Sequence, residues 1–221
     1  RGATPAVMRL YDETESEHHH GTESGINVLL VLDEGDPALV DAGMEVVAQE
    51  CKTARLLPES LVEHWMVKRN EIAAPAELLS NGLVFDTMEV AGPWSDLPVI
   101  NNAAKAAIGS VAGTLAVTVH QSHSYITGGC LYFTFAGLVE PDERDQYYAA
   151  AWEAGTRAVL ENGGALSHHH GVGINRARFV ADALGPAFDT LIAIKSALDP
   201  VAILNPAKLG FPSHFGELGW P

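Results

Sequence analysis

Apolar positions along the chain fall into short runs with two periods, one of two residues and one of three to four. Ala6–Tyr11 is a brief apolar run that reads as a strand. Ile26–Asp33 (INVLLVLD) is almost continuously apolar and branched, which predicts a central strand. Asp36-Pro37 then supplies an N-cap followed by proline at the first helical position. Val40, Met44, Val47 and Cys51 lie along one face of that helix. A shorter helix covers about Glu59–Lys68. Ala73-Ala74-Pro75-Ala76 breaks the pattern and leads into a strand at Leu83–Val90. Pro93-Trp94-Ser95 starts a helix whose apolar face is Leu97, Ile100, Ala104 and Ile108.

The clearest signal is a hairpin. Thr114–His120 alternates, with Leu115, Val117 and Val119 on one face and Thr114, Thr118 and His120 on the other. A turn within Ser124–Gly129 follows, and the return strand is Cys130–Ala136. It sets Leu131, Phe133 and Phe135 against Cys130, Tyr132 and Thr134. Glu140-Pro141 opens a long helix with Tyr148, Trp152, Gly155 and Val159 in one stripe, and Asn162-Gly163-Gly164 stops it. Two helices separated by Gly185-Pro186 run to Leu198, where Asp199-Pro200 ends the second. Asp12–Gly25, carrying His18, His19 and His20, reads as a polar acidic loop. The order of elements lacks a βαβα rhythm. It predicts an α+β fold, a ferredoxin-like antiparallel sheet with helices on one face, then a short helical C-terminal segment. Thr118, His120, Tyr132 and Thr134 are then left on the open face, which calls for a cover.

Composition narrows the function. The chain has 221 residues, 47% of them hydrophobic, with mean hydropathy +0.08, as expected of a packed globular protein. Asp and Glu number 28 against 13 Lys and Arg, a formal charge of −15, which excludes nucleic acid and anionic membrane surfaces as partners. Cys51 and Cys130 sit in apolar patterns and read as small core residues. No signal peptide and no membrane-spanning run is present, so the expectation is a cytoplasmic protein. A start at Arg1 suggests a piece of something longer.

The candidate chemistry lies in Ser167-His168-His169-His170-Gly171-Val172-Gly173. Imidazole titrates nearest neutrality, so such a run suits proton transfer or metal binding. Glycines permit close approach of a ligand, and the first turn of a helix opening there would aim free N–H groups at an anion. Adjacent side chains do not all converge on one ion without strain, so no metal is expected. His18–His20, His120 and His123 read as polar positions of a loop and a hairpin end. The competing function is a stand-alone α+β module binding a small ligand or metal without flavin.

SHHHGVG, the GGCLYFTF strand before it and the DPVAILNPAKLGF tail together resemble a known family. They are similar to the C-terminal domain of FAD-linked oxidases of the vanillyl-alcohol oxidase type, especially alkyldihydroxyacetonephosphate synthase and its bacterial relatives. RLYD at Arg9–Asp12, WMVKRN at Trp65–Asn70 and EVAGPW at Glu89–Trp94 extend the likeness along nearly the whole chain. The resemblance implies one domain over residues 1–221, forming the substrate pocket against FAD held mainly by an N-terminal domain of the same polypeptide. That domain is absent from this sequence. The resemblance further implies a small-molecule substrate, and the apolar surface left without its partner domain predicts a homo-oligomer. It assigns proton transfer to Tyr132 and to His168, His169 and His170, with His169 the best candidate base, and cofactor contacts to Gly171, Asn205 and Lys208. It departs at Ala73–Glu77, where the synthases carry a phosphate-binding arginine and this chain has no basic residue.

Overall fold

The structure is a computed structural model and describes residues 1–70 and 82–216. Strands β1 (Val7–Tyr11), β2 (Val28–Leu32), β3 (Val84–Pro93), β4 (Thr114–Ser124) and β5 (Gly128–Gly137) form one sheet in the order β2-β1-β4-β5-β3. Every neighbouring pair is antiparallel. The described helices are α1 (Glu13–His20), α2 (Pro37–Glu50), α3 (Ser60–Lys68), α4 (Leu97–Gly109), α5 (Arg144–Glu161), α6 (Val180–Leu184) and α7 (Ala187–Leu198). The α+β class and the antiparallel pairing follow the predicted alternation. Among the described residues no helix is long and apolar enough to cross a membrane.

Register decides which side chains meet. Met88 of β3, Phe133 of β5 and Val119 of β4 lie side by side, as do Val90 and Leu131. They form the main core with Phe135, under Ile100, Ala104 and Ile108 of α4 and Ala151, Trp152 and Val159 of α5. Fully burying a side chain of this size contributes about 1.5–3 kcal/mol, so this layer is the principal source of stability. A smaller cluster of Tyr11, Val28 and Leu30 packs with Val62 and Trp65 of α3. Tyr11 pairs with His120, one residue out of phase with Val119, so this cluster lies on the opposite face of the sheet.

Two local expectations change. The polar stretch after Asp12 is the helix α1, capped by the Asp12 carboxylate, which accepts from the Glu15 N–H at 2.9 Å. Its acids lie in the first turn and its histidines in the last, the arrangement that a helix dipole favours. It buries Glu15, Ser16 and His20, so apolar periodicity could not reveal it. Conversely, no helix opens at Gly171-Val172-Gly173. A turn and a 3₁₀ segment, Ala177–Phe179, come first, and α6 starts only at Val180. Gly173 at φ +56° and the inward-turned Arg176 side chain break the helical path. The break predicted at Ala73–Ala76 lies outside the described residues.

Two glycines test the packing. At Gly137 a Cβ would run into the Tyr147 ring, which cannot swing aside because Thr114 holds its hydroxyl at 3.1 Å. At Gly109 in α4 a Cβ would meet nothing within 4 Å. Gly137→Ala should cost about 1–3 kcal/mol by overpacking. Gly109→Ala should stabilise by up to about 1 kcal/mol through helix propensity. Thermal melts should move in opposite directions; equal shifts would contradict the packing described.

Candidate active site

The histidine loop is placed by β3. After α5 ends, the Ala165 N–H donates to the Ala91 carbonyl at 2.8 Å, forming an antiparallel bridge. Two residues on, Ser167 comes beside Glu89. Glu89 lies on the face of β3 opposite Met88 and Val90 and is fully buried. Its carboxylate accepts from the Ser167 hydroxyl and the backbone N–H of His168, and from the N–H groups of His169 at 3.2 Å and His170 at 2.9 Å. Arg176, also buried, brings Nη2 to 3.5 Å of the same carboxylate and donates Nη1 to the Gly171 carbonyl at 2.7 Å. The Gly171 N–H closes the loop on Ser167 Oγ at 2.9 Å. An anion is thus met by converging N–H groups, but not by the first turn of a helix and not on the side that the imidazoles face. The donors are those of the histidines themselves, and the chain supplies the anion. Burial alone would raise the Glu89 pKa. The bonds from Ser167, His168 and His170, with the Arg176 charge, outweigh it and hold the carboxyl below its usual range.

With its backbone turned inward, the loop presents its rings outward. His168 Nε2 is 2.9 Å from the Tyr125 hydroxyl, and its Nδ1 is 3.0 Å from His169 Nδ1. His123 enters from β4, its ring centroid 4.9 Å from His168 and 4.8 Å from His169. A bulge between Ser122 and Ser124 puts His123 at φ +50° and aims it there. Burial, reinforced by neighbouring imidazoles, lowers the pKa of His123; burial also lowers His169, against the pull of Glu89. Both are neutral proton acceptors at pH 7. Tyr132 meets His170 edge-on at 5.4 Å and lies 6.3 Å from His169, its hydroxyl donating to Thr87 Oγ1 at 3.1 Å. A row of rings then crosses the sheet: Tyr132 to His120 at 5.0 Å, His120 to Tyr11 at 5.3 Å and Tyr11 to His20 at 4.9 Å.

Tyr132 and the histidine run therefore stand together. Gly171, at φ +78°, faces open space, so its backbone is approachable. Asn205 and Lys208 sit on a tail held where Gly210 packs on the Ala177 carbonyl, and among the described residues neither side chain bonds to the imidazoles. Sequence reasoning passed over Glu89, Arg176 and His123 as site residues. A lone acid between Met88 and Val90 was a readable signal for Glu89; the bulge that aims His123 had none. One donor atom from each of His123, Cys130, His168 and His169 lies within 4.8 Å of the others. Two adjacent histidines thus reach one point, while His170 stays outside that group. Burial pushes the Cys130 thiol up to about 11, so it is protonated at neutral pH.

Glu89→Gln should cost about 3–5 kcal/mol at pH 7, because Arg176 and the loop N–H groups lose a buried charge. Since the folded pKa lies below the unfolded one, this stabilisation is complete above the unfolded carboxylate value and disappears as pH falls through the folded value. Urea midpoints of wild type and variant should converge on acidification; a constant gap would contradict the assignment.

The described fold has known counterparts. The chain is 28% identical over 221 residues to the uncharacterized FAD-linked oxidoreductase YgcU of Escherichia coli O157:H7, covering 92% of this chain and 46% of that protein. It is 37% identical over 104 residues to the alkyldihydroxyacetonephosphate synthase of Trypanosoma brucei brucei, covering 46% of this chain and 17% of that one. The chain thus spans about half or less of these relatives' lengths. Among solved structures, an alkyldihydroxyacetonephosphate synthase superposes with TM-score 0.60 at 17% identity, covering 90% of this chain and 38% of that chain. The 4-ethylphenol oxidase of Gulosibacter chungangensis in complex with isoeugenol gives 0.65 at 14% identity, covering 95% and 48%. The family model for FAD linked oxidases, C-terminal domain, matches residues 1–209, and the chain belongs to that family.

Proposed function

We propose that this chain is the substrate-binding and proton-transferring half of an FAD-dependent oxidoreductase or alkyldihydroxyacetonephosphate synthase-like enzyme. The observation that carries the reading is the meeting of Tyr132 with neutral His169 and with His170 over a buried carboxylate. Tyr132 is the proton donor and His169 the acceptor, both beside one substrate carbon. Bound FAD supplies the electron-accepting ring, and the protein supplies position and protons. The site suits such a group: the loop backbone at Gly171 is open to approach, and beside it stand the uncharged rings of His123 and His169. Gly171 would contact the flavin, with Asn205 and Lys208 of the tail tying it to the N-terminal FAD-binding domain.

The cations nearest the rings are engaged. Arg176 serves Glu89, and Arg9 lies 3.5 Å from His120. With no basic residue at Ala73–Glu77, a stretch outside the described residues, this argues for a substrate without a phosphate at that subsite. Cytoplasmic residence and self-association belong to the same proposal. Both cysteines are free, and Leu198, Val201, Ile203 and Leu204 stand exposed, an apolar strip suited to a partner domain or second copy.

In the full-length, FAD-containing protein, Tyr132→Phe and His169→Ala should each lower turnover by about 10²–10⁴-fold with flavin still bound. The lowered His169 pKa should place the acid limb of kcat/KM below the ordinary imidazole value near 6.5. Wild-type turnover in either variant removes that residue from the mechanism. Elemental analysis of chelator-dialysed protein should show no stoichiometric transition metal if the imidazoles serve proton transfer. One retained metal per chain, lost in His123→Ala, would instead identify the four-donor group as a metal centre.

A further inference from the structure

Behind Tyr132, away from the histidine loop, stands a second buried carboxylate. Glu15 of α1 is 4% exposed although it carries a carboxyl group. Its two oxygens accept from Thr118 Oγ1 at 2.8 Å and meet His120 Nδ1 at 2.9 Å. The other imidazole nitrogen, Nε2, lies 3.5 Å from Arg9 Nη1. A guanidinium offers only donors, so the nitrogen facing it is the acceptor. Nδ1 therefore carries the proton and donates it to Glu15. His120 is held as one tautomer between an anion and a cation, with its plane fixed at both ends. That plane lies 14° from the Tyr132 ring at 5.0 Å, while Tyr11 closes the opposite side at 5.3 Å.

The helix bearing Glu15 is itself fastened. Asp12, its cap, also accepts from the Val119 N–H at 3.0 Å and pairs with Lys105 of α4. Ser16 Oγ accepts from the Val28 N–H at 2.9 Å. Both are contacts to strands of the sheet, so the carboxylate cannot drift from His120 without unpinning the helix. These contacts hold α1 where its Glu15 meets His120.

We propose that Glu15, His120 and Arg9 are a positioning triad for Tyr132. Glu15 and Arg9 fix the tautomer and plane of His120, and the imidazole face holds the phenol at the angle from which it meets the substrate. The proposal rests on the proton-transfer reading of Tyr132 and assigns the triad no proton of its own to transfer.

A neutron structure of the full-length, FAD-loaded protein reads the tautomer directly. A deuteron on His120 Nδ1 and a bare Nε2 are expected; a deuteron on Nε2, alone or with Nδ1, overturns the triad. Kinetics provide the second arm, with the probe being flavin bleaching on anaerobic mixing with 4-ethylphenol or lactate. Glu15→Ala and His120→Ala should slow bleaching about 10- to 100-fold with little change in the half-saturating probe concentration, as small misplacement does. Glu15→Gln should recover most of the rate, because its amide oxygen still accepts the Nδ1 proton. Combined with Tyr132→Phe, neither alanine substitution should slow the reaction further, since coupled residues are not additive. Additive losses, or no rescue by Gln, mean that the three residues serve stability alone. If Tyr132→Phe bleaches like the wild type, the proton-transfer reading fails, and the neutron result still decides whether the triad exists.

Discussion

The site depends on one carboxylate. Glu89 is a charge without solvent, tolerable only because a hydroxyl, three backbone N–H groups and a guanidinium converge on it. The same contacts shape the loop. Consecutive residues can all direct N–H groups to one point only if the backbone curls around that point, and a curled backbone throws its side chains outward. The histidine run is thus an outward crown because Glu89 is at its centre. The acid that stabilises the loop is also the charge beneath the rings.

From that centre the order passes across the sheet. Glu89 pairs with Tyr132, Tyr132 with His120, and His120 with Tyr11, each pair in register on adjacent strands. One face of the sheet is apolar and packed beneath α4 and α5; the other carries this row of rings between two buried carboxylates, Glu89 at one side and Glu15 toward the other. Because the side-chain period of a strand is two, the two faces cannot be altered independently: a slip by one residue would put the row into the core. The stability of the apolar layer therefore fixes the geometry of the polar one. This explains how the small β5 segment, Cys130 to Phe135, can hold Phe133 at the centre of the core and Tyr132 at the centre of the site.

Strict alternation exposed the hairpin, and with it the face shared by Tyr132 and His120. Helical stripes exposed α4 and α5. What alternation could not expose were elements stabilised by polar burial. α1 has no apolar stripe at all; it is held by Asp12, Glu15 and Ser16 through bonds to distant strands. Glu89 and Arg176 are legible separately as charged residues, but their pairing needs the bridge from Ala91 to Ala165, a contact between segments far apart in sequence. His123 belongs to the crown only because a bulge reverses its side, and a bulge after Ser122 leaves no trace in residue type. The tail residues Asn205 and Lys208, by contrast, were legible only through family likeness, and the described structure leaves their side chains without bonds to the crown.

The charge of the site follows from these attachments rather than from composition. The chain carries −15 overall, yet its two buried acids beside the rings are each neutralised in place, Glu89 by Arg176 and Glu15 by the Arg9–His120 pair. Burial keeps His123 and His169 uncharged at neutral pH, and burial also keeps the Cys130 thiol protonated. His123 and His169 are accordingly presented to a ligand uncharged, although both can ionise. Such a surface binds an uncharged ring without a desolvation penalty for fixed charge, and it can take up or release a proton the moment a substrate makes one available. A crown of charged imidazoles would bind anions well and accept no protons. Burial keeps His123 and His169 in the other state, against the pull of the Glu89 charge beneath them.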